Sequence, residues 1–110
     1  MRELSVGKVL TANTLTTIYK VPTGYHAKWN LCYVVNHTGS NKTIDAVWFD
    51  SSENASIFVL DNYSLSATNF IKFDGGAWVV LEEGDEVRML SETGSTMHTI
   101  NSFELIRNNV

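Results

Sequence analysis

The side chains able to do chemistry are few and widely separated. His26, His37 and His98 lie far apart, and none has a second His or a Cys at ligand spacing, so a zinc site would have to be assembled from distant segments. No metal site is expected: His26 and His98 read as polar positions on strands, and His37 opens a turn. Serines are plentiful, but no Gly-x-Ser-x-Gly elbow presents one as a nucleophile. The single cysteine, Cys32, sits in an apolar run; it has no partner for an intrachain disulfide and reads as a small buried hydrophobe.

Carboxylates concentrate at Glu82, Glu83, Asp85 and Glu86. Two carboxyls can act as acid and base on a glycosidic bond, but neighbours around a glycine are expected to form a solvated hairpin tip. The spacing also lacks the alternating Asp order of a calcium loop, and no Gly-rich phosphate loop follows a strand and opens a helix. No catalytic residue, metal or cofactor is therefore expected, and the chain reads as a non-enzyme. Among the aromatics, Trp29 alternates in phase with Leu31 and Tyr33, and Trp48 with Ile44 and Ala46, which predicts core positions for both tryptophans. Trp78 and Tyr63 remain as candidates for a subunit contact or a flat platform for a ligand ring. Val34 joins them as a candidate contact, because the chain becomes apolar on both strand faces near Cys32 and Val34.

Strands must position these residues. Over 25–35, Tyr25, Ala27, Trp29, Leu31, Tyr33 and Val35 alternate with His26, Lys28, Asn30, Cys32 and Val34. Before them, 15–21 is β-branched and aromatic, and Pro22-Thr-Gly24 supplies turn chemistry. Further strands are predicted at 43–49, 56–60, 70–73, 77–81, 86–90 and 97–106, with 61–69 read as a surface loop and glycine turns between the later strands. No segment carries helical periodicity. The expectation is a single all-β domain over 1–110, an antiparallel β-sandwich, jelly-roll-like, of about eight strands.

Composition narrows the function classes. Hydrophobic residues make up 44% and charged residues 18%, a balance of packed strands with uncharged polar faces. Net charge is −4 and the eight Lys and Arg are scattered singly, so no basic stripe exists to neutralise phosphates and nucleic acid is not expected as a partner. Four Asn-x-Ser/Thr triplets, at Asn36, Asn41, Asn54 and Asn62, follow from a composition rich in those residues. The first residues show neither a secretory signal nor an apolar span, so folding in the host cytoplasm and no membrane association are expected.

The order of several motifs resembles small β-sandwich virion proteins of tailed bacteriophages. They are Leu10-Thr-Ala-Asn-Thr-Leu-Thr-Thr-Ile-Tyr19, Val21-Pro-Thr-Gly24, Val35-Asn-His-Thr38 and Leu81-Glu-Glu-Gly-Asp-Glu-Val-Arg88. What the resemblance implies is a non-enzymatic virion structural protein. It would be a homo-oligomer such as a trimer, decorating or cementing the capsid surface beside the major capsid protein. A tail-associated virion protein and a carbohydrate-binding β-sandwich module using Trp78 or Tyr63 are the alternatives. The resemblance supplies no catalytic residues.

Overall fold

The computed structural model describes residues 2–74 and 79–109. Among the described residues nine strands form two antiparallel sheets: β1 (Arg2–Leu10), β2 (Thr16–Lys20), β3 (Tyr25–Asn36), β4 (Lys42–Asp50), β5 (Ala55–Leu65), β6 (Phe70–Phe73), β7 (Val79–Leu81), β8 (Glu86–Ser91) and β9 (Met97–Arg107). One sheet runs β1-β9-β3-β6, with β7 also on β3; the other runs β2-β8-β4-β5. Strands β6 and β7 share one edge of β3, taking Cys32 to Val35 and Ala27 to Trp29 respectively. Counted as one position, they make the two orders those of a jelly roll. The expected sandwich of about eight strands is therefore the fold.

Two segments differ from the sequence expectation. Residues 2–10, which show no strand pattern in the sequence, pair along their whole length with β9, from Arg2 opposite Leu105 to Leu10 opposite Met97. Their alternation is masked because Lys8 occupies the inward phase with Leu4, Val6 and Leu10, and β9 supplies the order the local pattern lacks. The expected loop over 61–69 begins only after Leu65. Asn62 adopts φ 49° and its N–H is taken by the Asp45 carboxylate at 2.6 Å, so β5 absorbs irregular residues and continues along β4.

The core lies between the sheets. Ala27, Trp29, Cys32, Val34, Met97, Phe103 and Leu105 from one layer meet Ile18, Ile44, Ala46, Leu60, Val87 and Met89 from the other. Phe103 is its hub, stacked on Tyr19 at 4.7 Å between ring centres and on Trp29 at 6.5 Å.

Within β3 the pairing to β9 jumps from Trp29–Phe103 to Leu31–Ser102, a bulge that exchanges the two faces of the strand. Trp29 is in the core as expected, but Leu31, Tyr33 and Val35 turn outward and Cys32, Val34 and Asn36 turn inward. Val34 is fully buried and presents no surface, which corrects its reading as a contact residue. Trp48 keeps the phase of Ile44 and Ala46 along β8 and packs against the core, half-buried at its rim.

Candidate interaction surfaces

Before any surface can be offered to a partner, the loops around it must be fixed, and buried polar side chains do this. Asn36, fully buried at the end of β3, donates through Nδ2 to the carbonyls of Ser40 (2.9 Å) and Leu65 (3.0 Å), and its Oδ1 accepts the N–H of Thr38 (3.1 Å). Asp85 plays the same part at the opposite end. Its carboxylate accepts from Trp48 Nε1 (3.1 Å), Ser51 N (3.0 Å), Ser51 Oγ (3.1 Å) and Glu82 N (3.0 Å). The expected solvated tip is thus only partly so: Glu82 and Glu83 are exposed while Asp85 is buried as a structural acceptor. Glu86 lies one residue further on. Hydrogen bonding from Arg88, with Thr17 adding a second donor, holds its carboxyl below the ordinary value despite partial desolvation.

No group of three or more His, Cys, Asp or Glu side chains converges among the described residues. Burial pushes the Cys32 thiol up to about 12, which keeps it protonated and unreactive at neutral pH.

Two surfaces stand out instead. On the outer face of the β1-β9-β3-β6 sheet, cross-strand neighbours form rows, because residues directly opposite share a face. One row is Val9, His98, Val35 and Phe70; the next is Gly7, Ile100, Tyr33 and Lys72. Val9 is 67% exposed, Phe70 53% and Ile100 45%, with the Tyr33 ring 5.6 Å from that of Phe70. Gly7 has no side chain to cover Ile100, so the centre of this face stays open. Further along the face the character is mixed: Ser5, Ser102 and Leu31 make the next row, and Glu3, Glu104 and Lys28 the one after it, with Lys28 and Glu104 3.8 Å apart.

The second surface is β5, an eleven-residue edge strand that among the described residues pairs only with β4. Its Ile57, Phe58 and Val59 are exposed and no charged residue interrupts the stretch from Ala55 to Leu60. Other edges are protected: β1 turns Lys8 toward its inner phase, and β2, β6 and β7 are short. Tyr63 lies on this same edge strand and is exposed, as a platform requires. Trp78 lies outside the described residues. Nearby, a shallow polar cleft is lined by Asn13, Thr43, Asp45, Asn62, Ser91 and Glu92 among others, and the buried Ser91 hydroxyl has no hydrogen-bond partner.

Sequence spacing also concealed a pair: the His37 and His98 rings come within 5.1 Å, centre to centre. Only the antiparallel return of β9 beside β3 brings them together, so no local pattern could have announced it.

No protein-family model matches the chain, and no curated protein sequence does. Among solved structures it is similar to a chain from Bacillus endospore appendages, described as a novel family of disulfide-linked pili. The TM-score is 0.51 and the identity 14%, over 98% of this chain and 87% of that one. It is also similar to the globular domain of the zebrafish complement 1qA protein, with a TM-score of 0.49 and 16% identity over 97% of this chain and 98% of that one. At 14% identity the likeness to the pilus chain extends to fold and no further.

Proposed function

We propose that this chain is a non-enzymatic structural subunit that associates with copies of itself and coats a larger particle. The order of its motifs makes the capsid of a tailed bacteriophage the particle of choice. One observation carries the reading: a folded core is complete without Val9, Ile57, Phe58, Phe70 and Ile100, yet these large apolar side chains remain exposed on an open sheet face and an open edge. Large apolar side chains left on an open face and an open edge are what a contact with another protein would cover. The pilus chain of similar fold belongs to a disulfide-linked assembly. Here the lone Cys32 is buried, so association would rest on noncovalent contacts.

The experiment is the solution mass of untagged protein by light scattering across about a hundredfold range of concentration, because association of identical chains follows mass action. A closed oligomer, such as a trimer, is the expected result; a monomer throughout removes self-association. Antibody labelling of particles by electron microscopy then separates sites: label over the capsid supports decoration, label on the tail supports the tail-associated alternative, and unlabelled particles reject both.

A second reading, a carbohydrate-binding module, is favoured by one feature. The exposed Tyr63 is adjacent in sequence to Asn62, which lines the polar cleft containing the unpartnered Ser91 hydroxyl. Binding on a glycan array that is lost in Tyr63→Ala with unchanged mass would support it, and an array without binding would discard it.

A further inference from the structure

The turn after β3 is unusually well anchored. Asn36 pins it from within, the His37 N–H donates to the Thr96 carbonyl at 2.8 Å, and the Thr38 hydroxyl exchanges hydrogen bonds with Thr96, accepting its N–H at 2.7 Å. These bonds tie the turn to the start of β9, whose second residue is His98. The backbones that carry the two imidazoles are therefore fixed, His98 within β9 and His37 in the turn bonded to it. Their ring centres are 5.1 Å apart with planes inclined by 39°.

That separation has chemical meaning. An imidazole nitrogen sits about 2.05 Å from bound zinc and about 1.15 Å from its own ring centre, so two rings at a tetrahedral angle have centres about 5.2 Å apart. Among the described residues only His26 engages its imidazole in a hydrogen bond, Nδ1 to Asn108 Oδ1 at 2.7 Å. The nitrogens of His37 and His98 have no such partner. His37 is exposed and offers a way in, while Val9 and Val35 flank His98 across the sheet.

We propose that His37 and His98 form a surface site for a borderline divalent transition ion, Zn²⁺ being the probe of choice, held by two imidazole nitrogens with water completing the coordination. Imidazole is the ligand type such ions prefer, and with ring centres already at the spacing a shared ion would set, the second ring is offered at a high effective concentration. The site is independent of whether the chain coats a particle.

The test uses the untagged full chain labelled with ¹⁵N, titrated with zinc chloride at neutral pH while the three imidazole signals are followed by NMR. His37 and His98 are expected to shift along one common isotherm while His26, occupied by Asn108, stays in place as an internal control. His37→Gln should weaken the affinity read at His98 by about tenfold or more, since a chelate becomes a single ligand, and His98→Gln should do the same at His37. Equal shifts at all three histidines, a shift at only one of the pair, or a variant whose remaining histidine keeps its affinity within about twofold would overturn the proposal. Should a variant disturb the amide spectrum as a whole, the shared or separate isotherms of the wild-type pair decide alone.

Discussion

A single carboxylate fastens one end of the sandwich. Asp85 gathers donors from β4, from the turn after it and from its own hairpin, and is itself almost inaccessible. Removing it strands the Trp48 indole N–H and the Ser51 and Glu82 amides, each lost acceptor for a buried donor costing about 1–3 kcal/mol. Water can satisfy part of that set, so Asp85→Ala is expected to lower stability by about 3 kcal/mol, read as a shift of the urea midpoint with unchanged slope. Nothing within Glu82-Glu-Gly-Asp-Glu86 tells which acid turns inward; the choice belongs to Trp48 and Ser51, remote in sequence. Gly84 alone was legible locally: its φ is +84°, and a Cβ there would meet Ser51 Oγ at 3.0 Å.

Glu86 gives the residue scale a pH dependence. Its carboxyl is lowered from the ordinary 4.5 by Arg88 and Thr17, so the folded state binds a proton less readily than the unfolded chain. The stability it contributes is present above the ordinary value and is lost as pH falls through the lowered one. The stability gap between wild type and Glu86→Gln is therefore expected to be largest near neutrality and to shrink toward about pH 3, measured by urea midpoints at each pH. A gap that is unchanged by acid would assign the effect of the substitution to packing.

Among the elements, β3 shows how a readable pattern misleads. The alternation before Trp29 and that after Leu31 are each sound, but the extra residue at Asn30 changes the phase between them, so parity carried across it inverts every later side chain. The device that holds the bulge is tertiary. Trp29 Nε1 donates to the Leu31 carbonyl at 3.0 Å and to Asn101 Oδ1 at 3.1 Å; Asn101 in turn donates to Thr99 Oγ1, which donates to the Tyr33 carbonyl. Trp29→Phe keeps an aromatic ring against Phe103 but leaves two buried acceptors short, and a loss of about 2 kcal/mol is expected by thermal or urea unfolding. Trp29→Leu should cost more, because it also removes aromatic volume from the core. A substitution to Phe without cost would show that Asn101 and the bulge find other donors.

For the molecule as a whole, the sandwich class was accessible because turn chemistry and short apolar runs recur at sandwich spacing, whereas the strand order was not, since β1 shows no strand pattern of its own and is fixed only by β9. Which apolar residues stay outside was not accessible, since Val34 and Val35 look alike in sequence and are sorted only by the bulge. The sorted structure yields two separate exposed sets, and they make separable predictions. Ile100 lies at the centre of a sheet face opposite Gly7, whereas Phe58 lies on the free edge strand. Neither side chain is part of the buried core, so Ile100→Glu and Phe58→Glu should leave thermal stability of the monomer within about 0.5 kcal/mol. A glutamate placed inside a contact between like copies meets another glutamate in an apolar setting and should disrupt it. If the open face is the contact, Ile100→Glu alone shifts the light-scattering mass to that of a single chain; if the edge is, Phe58→Glu alone does. An oligomer that survives both substitutions would place the contact on neither surface and remove the observation on which the structural role rests.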